Sequence, residues 1–213
     1  MNDLVLSIFP GVDLFGMSFK AEGFTVVWAP DLIWGWNIKD FHPPADVFEG
    51  IIGGPPCTGE SKLAHLNGKP GFSLWKEAVR VIQEAKPAWW ILEAVTKHDA
   101  PYVLALSPRW IGERQSRKRY FHSNLNLEPH ISVSIFEHPQ YKYAVRAANR
   151  ASGYGTVRRR LASYDLPEAC ELQGLPSTWR LPEFTKEAQL KVIGNGVPLP
   201  VGREIARAVR KAN

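Results

Sequence analysis

An apolar run, Val47-Phe48-Glu49-Gly50-Ile51-Ile52, breaks abruptly into Gly53-Gly54-Pro55-Pro56-Cys57. The run predicts a buried strand, because a short continuous apolar stretch bounded by turn residues suits the middle of a covered sheet. The two glycines let the chain turn sharply and the two prolines stiffen the loop after them. A buried strand ending in a rigid loop is the arrangement of an α/β sheet, which presents its chemistry beyond the carboxyl ends of its strands. A cysteine mounted there is a candidate nucleophile, since a thiolate on a fixed support suits attack on a fixed electrophile.

The rest of the chain continues the same alternation. Residues 4–8 and 24–28 read as strands, joined through a glycine-bearing turn and a short helix that Gly23 ends. Ser73 is placed to cap a helix carrying Trp75, Val79, Ile82 and Lys86 on one face, and residues 89–92 give the next strand. A short helix is expected over 98–108, stopped before Pro108, then a strand over 117–122. The pattern loosens over 124–157 and helical order resumes near Pro167 and Pro200; in the last helix Ile205, Ala208, Val209 and Ala212 form a core face and Arg203, Arg207 and Arg210 point away. Strands alternating with helices predict an α/β fold with a mostly parallel sheet and helices on both faces. The main body then comprises residues 1–123 and 158–213, with 124–157 as a short insert.

Composition narrows the setting. The chain has 213 residues, 45% of them hydrophobic, and no apolar run near the roughly 20 residues of a membrane span. No basic-then-apolar leader is visible at the start. Cys57 and Cys170 make no disulfide framework and no zinc spacing, which suits a reducing cytoplasm. The net charge of +5 is concentrated in two clusters, Arg114, Arg117, Lys118 and Arg119, then Arg146, Arg150, Arg158, Arg159 and Arg160, which favours a phosphate-binding edge.

Six blocks, in order along almost the whole chain, resemble those of the DNA cytosine-5 methyltransferases. They are Leu6-Ser7-Ile8-Phe9-Pro10-Gly11, the Pro55-Pro56-Cys57 loop, Trp90-Ile91-Leu92-Glu93-Ala94-Val95, Gln115-Ser116-Arg117-Lys118-Arg119, the segment from Pro167 to Pro176, and Ile193-Gly194-Asn195-Gly196-Val197-Pro198. The segment from Trp34 to Pro44 is similar to small phage-borne members. The resemblance implies a Rossmann-like S-adenosyl-L-methionine-dependent fold, and methyl transfer to C5 of cytosine in DNA through a covalent bond between Cys57 and C6. It implies work in the cytoplasm of a bacterial or phage-infected cell, on DNA, double-stranded and with a flipped cytosine, with a partner protein possible.

The implied roles run block by block. Cys57 is the nucleophile, Glu93 holds the N3 and N4 edge of the base, Arg117 sits over the flipped base and Arg119 supports the local structure. Phe9, Gly11, Asp31, Asn37, Ile38, Pro55, Asn195 and Val197 surround the cofactor. Ser61, Arg146, Arg150, Arg158, Arg159 and Arg160 meet DNA. Alternation along one strand would put Arg117 and Arg119 on the same side. The six histidines match no block and read as structural or surface residues.

Four positions depart from the family pattern. Ala94 stands where Asn is usual, Thr58 where Gln is usual, and Asp13 and Leu14 where the cofactor loop has glycines. With the short insert, these departures keep two alternatives open, an RNA cytosine-5 methyltransferase and an idle DNA-binding relative or subunit.

Overall fold

The computed structural model describes residues 3–56, 73–136, 138–145 and 164–213. Six strands form one sheet: β1 (Leu4–Ile8), β2 (Thr25–Trp28), β3 (Gly50–Gly53), β4 (Trp89–Ala94), β5 (Tyr102–Leu106) and β7 (Arg119–Ser123), in the order β2-β1-β3-β4-β7-β5. β2, β1, β3 and β4 pair in parallel, while β7 runs antiparallel to both β4 and β5. Two short strands, β6 (Gln115–Ser116) and β8 (Lys142–Tyr143), pair separately.

Helices cover both faces because successive β-strand residues point opposite ways. On one face Val5, Ile52, Trp89 and Phe121 pack against α1 (Leu14–Ala21) and α5 (Leu199–Ala212). Phe19 of α1 stacks on Trp89 with ring centroids 5.8 Å apart. On the other face Leu6, Ile8, Ile51 and Leu92 meet α2 (Trp75–Ala85). A third cluster joins α3 (Leu166–Leu172) and α4 (Lys186–Asn195) to Leu14 and Val145.

Local chemistry explains the helix ends. Asp13 accepts from the Gly16 amide and so caps α1, which ends where Gly23 takes a φ of 88°. Asp165 and Thr185 cap α3 and α4 in the same way. In α5, Ile205, Ala208 and Val209 are buried, Ala212 packs against the core, and Arg203 and Arg207 bond Glu22.

Three expectations are corrected. Residues 98–108 contain a strand, β5, because Tyr102-Val103-Leu104-Ala105-Leu106 gains a full ladder with β7; a short apolar run between prolines does not declare its period. Strand β7 begins at Arg119, so Arg117 precedes it and the two arginines do not alternate on one strand. The buried face of α2 is Ala78, Val81 and Ala85, with Trp75, Val79 and Ile82 only part-buried; Leu74 stands at the N-cap position, and Ser73 just before it accepts from the Trp75 amide at 3.3 Å. After β7, Leu127 is buried in the main core, with Leu125 and Ile131 against it.

Candidate active site

The carboxyl ends of β1, β3 and β4 lie at one edge of the sheet, and the antiparallel β7 brings its first residue, Arg119, to that same edge. β1 runs out into Phe9-Pro10-Gly11, β3 into Gly54-Pro55-Pro56, and β4 into Glu93 and Ala94.

The loop after β1 is wound tightly. Phe9, Gly11 and Asp13 take φ values of 53°, 56° and 58°, left-handed conformations that only the glycine adopts without cost. Asp13 is buried and fixes this winding: its carboxylate accepts from the Ser7 hydroxyl (2.7 Å), the Gly16 amide (3.0 Å) and the Trp28 indole (2.6 Å). Burial raises its pKa above the ordinary aspartate value, and the three donors oppose that rise. Asp31 braces the loop from β2's side. One oxygen accepts from the Gly11 amide and the other from the Ile33 amide, both at 2.9 Å. The Trp34 indole donates to the Gly11 carbonyl at 2.9 Å and stacks on Trp28.

Glu93 is only 9% exposed and pairs with Arg119, Nε to Oε1, at 2.7 Å. A Cβ placed on Gly54 would stand 3.4 Å from Glu93 Oε2, so this carboxylate lies against the root of the proline loop. Arg117 is buried behind the pair, 5% exposed, and donates to the carbonyls of Val145 (2.8 Å), Gly194 (2.7 Å) and Asn195 (3.4 Å). Burial first, then the Arg119 charge, pulls its pKa down to about 9 against the opposing attraction of Glu93, which leaves it a cation at neutral pH. Arg117 thus ties β6 to the end of α4, while Arg119 stands at the carboxylate. Gln115 makes a parallel tie, donating to Leu172 O (2.7 Å) and accepting from the Val145 amide (3.2 Å).

The model for C-5 cytosine-specific DNA methylases matches residues 35–101 and 110–211. The chain belongs to that family. The Type II methyltransferase M.FnuDI of Fusobacterium nucleatum is 24% identical over 63% of this chain and 50% of its own length, so the chain spans about half of that relative. Among solved structures, the DNMT2 mutant of Spodoptera frugiperda aligns with a TM-score of 0.67 at 14% identity, covering 97% of this chain and 99% of that one. The methyltransferase EhMeth of Entamoeba histolytica aligns at 0.63 and 11%, covering 98% of both. A putative DNA modification methyltransferase encoded in an Escherichia coli prophage aligns at 0.64 and 15%, covering 98% and 99%. At these identities the likeness shows the fold, a methyltransferase α/β sheet.

The methyl donor this family implies is S-adenosyl-L-methionine, and the β1 loop of this chain suits it. A Cβ on Gly11 would meet nothing within 4 Å among the described residues, which leave space open beside the loop backbone. Asp31 stands beside that space with one amide on each oxygen, and each carboxylate oxygen can accept a second bond. Asn37 is exposed and its carbonyl caps the turn Ile38–Asp40. Ile38 (2% exposed) and Val197 (5%) are packed into the core, where they support the site from beneath. Pro55 is buried at the loop root, and Asn195, exposed, ends α4. Cys57, Ser61, Arg146, Arg150, Arg158, Arg159 and Arg160 lie outside the described residues.

Sequence reasoning missed the anchoring work of Asp13 and Trp34. A charged residue replacing glycine in a cofactor loop, with tryptophans about 15 and 20 residues on, was the available signal. It also missed a ring cluster on the other face. Trp75 stacks on His98 with centroids 3.9 Å apart, and His122 lies edge-on to both. His122 Nε2 accepts from the His98 amide (2.9 Å), so Nδ1 carries the proton given to Leu92 O (3.1 Å). The cluster therefore links the first residue of α2 to the strand that bears Glu93.

Proposed function

We propose that this chain transfers a methyl group from S-adenosyl-L-methionine to C5 of cytosine in DNA, with Cys57 as the nucleophile. The observation that carries the reading is the Glu93–Arg119 pair at 2.7 Å, set against Gly54 at the root of the loop that bears Cys57. In this reading the Cys57 thiolate adds to C6, and the displaced electron pair makes C5 nucleophilic while charge builds at N3. Glu93 meets N3 and the exocyclic amine. Arg119 holds that carboxylate in place and supplies a planar fork beside the base. Arg117 keeps the α4–α5 turn, and with it Asn195, in register with the sheet. S-adenosyl-L-methionine, when bound, supplies the electrophilic methyl group. Phe9, Gly11, Asp31 and Asn37 would hold it, the Asp31 carboxylate taking hydroxyl groups and the Gly11 backbone allowing close approach. Loss of the C5 proton to a base then expels the thiolate and restores the ring.

Ser61, Arg146, Arg150, Arg158, Arg159 and Arg160 are proposed on sequence grounds to contact phosphates. Base-resolution methylcytosine sequencing of DNA from a methylation-free host tests the reading, with Cys57→Ala beside the wild type. Methylcytosine in the wild type alone supports it and gives the sequence context. Soluble protein with no mark in DNA, and a Cys57-dependent mark in RNA, transfers the reaction to RNA; no mark in either leaves a DNA-binding relative without activity.

A further inference from the structure

Ala94 directly follows Glu93 and has no polar side chain to hold the turn after it, at the position where asparagine is usual in the family. A neighbouring strand holds that segment instead. His122 of β7 is fully buried and stands opposite Leu92 in the β4–β7 ladder. Its Nδ1 lies 3.1 Å from the carbonyl oxygen of Leu92, one residue before Glu93. Its Nε2 lies 2.9 Å from the amide of His98, five residues after Glu93. A carbonyl can only accept and an amide can only donate, so Nδ1 carries the proton and Nε2 is bare. The His98 ring in turn stacks on Trp75, the first residue of α2, with centroids 3.9 Å apart. The amide of Leu74, just before Trp75, donates to the Pro56 carbonyl at 3.3 Å. One imidazole thus bonds the backbone on both sides of Glu93. Through His98 and Trp75 it also abuts the point where α2 meets the proline loop.

We propose that His122 is a positioning residue for methyl transfer: its uncharged ring clamps the backbone on either side of Glu93, and the reaction is lost when that ring takes up a second proton. The proposal rests on the reading of the chain as a cytosine methyltransferase. It adds to that reading a residue placed behind the reacting groups. Strand alternation puts His122 and Leu92 on the α2 face of the sheet, while Phe121 and Glu93, paired in register, point to the other. A second proton would sit on Nε2, directly against the His98 N–H, so a hydrogen bond would become two opposed donors. Among the described residues, the groups that face the ring are His98, Trp75 of α2 and, in register on β5, Val103, and none is an anion. Tyr120, on the same face of β7, has the cations Lys97 and Lys118 near its ring. In α2, Glu77 is engaged by Arg80 and Lys76 is exposed, as is Asp99 beside His98. Burial, more than any neighbour, lowers the His122 pKa below the ordinary histidine value, which keeps the clamp closed at neutral pH.

Steady-state methyl transfer from tritiated S-adenosyl-L-methionine to unmethylated plasmid DNA tests this between pH 7.5 and 5, with thermal melts to establish that each variant is folded at each pH. His122→Leu removes both bonds. Its kcat at pH 7.5 should fall about 10- to 100-fold, the scale of a small displacement of a reacting group, with KM for S-adenosyl-L-methionine unchanged. His122→Gln brings an amide oxygen to accept from the His98 N–H and cannot titrate. It should keep kcat within about fivefold of the wild type at pH 7.5, the worth of one neutral hydrogen bond lost at Leu92. Every other titrating group is shared by these two proteins, so the ratio of wild-type to His122→Gln rates isolates the ring. That ratio should fall at least about threefold from pH 7.5 to 5 as the histidine charges. His98→Ala keeps the amide donor and should keep the acid loss. A ratio that stays flat, an acid loss abolished by His98→Ala, or wild-type kcat in folded His122→Leu overturns the proposal. If His122→Leu does not fold, the ratio alone decides. A wild type that methylates no cytosine overturns the proposal together with the reading beneath it, whereas active wild type with a flat ratio overturns the positioning role alone.

Discussion

Arg119 and Glu93, on adjacent antiparallel strands, hold each other at 2.7 Å with both side chains mostly withdrawn from solvent. Their backbones are fixed by the β4–β7 ladder, so the pair is positioned by the sheet and not by a loop. A carboxylate that must lie in the plane of a base benefits from such a mount, because small displacements of a reacting group cost large factors in rate.

Glu93→Gln keeps the shape and removes the charge. We expect kcat to fall about 10²- to 10⁴-fold, the usual range for losing a group that manages protons in the transition state, with cofactor affinity unchanged. Arg119→Ala leaves Glu93 nearly buried and unpaired. That variant should lose about 1–3 kcal/mol of stability, between the values for exposed and buried pairs. Single-turnover kinetics and urea melts check the two effects separately.

Asp13 and Trp28 form a buried link between the β1 loop and β2. In Asp13→Asn the amide nitrogen faces either the Trp28 N–H, or both the Ser7 hydroxyl and the Gly16 amide, which share one oxygen, so at least one N–H donor loses its acceptor. The expected cost is about 1–3 kcal/mol, with weaker S-adenosyl-L-methionine binding by calorimetry. Adding Trp28→Phe should cost less in the Asp13→Asn background than in the wild type, and a double-mutant cycle showing simple additivity would break the link.

His122 is fully buried and accepts the His98 amide on Nε2, a bond that only the neutral ring can make. Burial lowers its pKa below the ordinary histidine value, and the hydrogen bond to Leu92 O and the charge on His98 act in opposite directions on it. The unfolded chain therefore binds this proton more readily than the folded one. Stability should fall as pH drops below about 6.5 and level off once the folded-state pKa is passed. The window lies above that of the carboxylates, so urea midpoints between pH 7.5 and 5 isolate it.

Gly53 lies where β3 passes the end of β1. A Cβ there would fall 2.5 Å from the Ile8 side chain and 2.8 Å from its carbonyl oxygen. Backbone cannot give way as a side-chain tip can, so Gly53→Ala should cost at least about 2 kcal/mol and disturb the adjoining Phe9 loop. Thermal melts with and without S-adenosyl-L-methionine measure both consequences.

The sequence by itself determined the order of strands and helices around β1 to β4, the glycine–proline loop after β3 and the identity of Glu93. Each is written in contiguous residues, as an apolar run, a turn or a charge at the end of a strand. It determined the family for the same reason, through six short blocks in order. Only the tertiary structure decided that residues 102–106 form a strand, because their hydrogen-bonding partner is β7, some fifteen residues away. Only it separated the two arginines: Arg117 turns to carbonyls on β8's continuation and the end of α4, while Arg119 reaches Glu93. It also made Asp13 an anchor for Trp28 and His122 a brace behind Glu93's strand. These pairings join residues that are distant in the chain, and a side chain's partner across a sheet is set by how the layers pack, which no local pattern records.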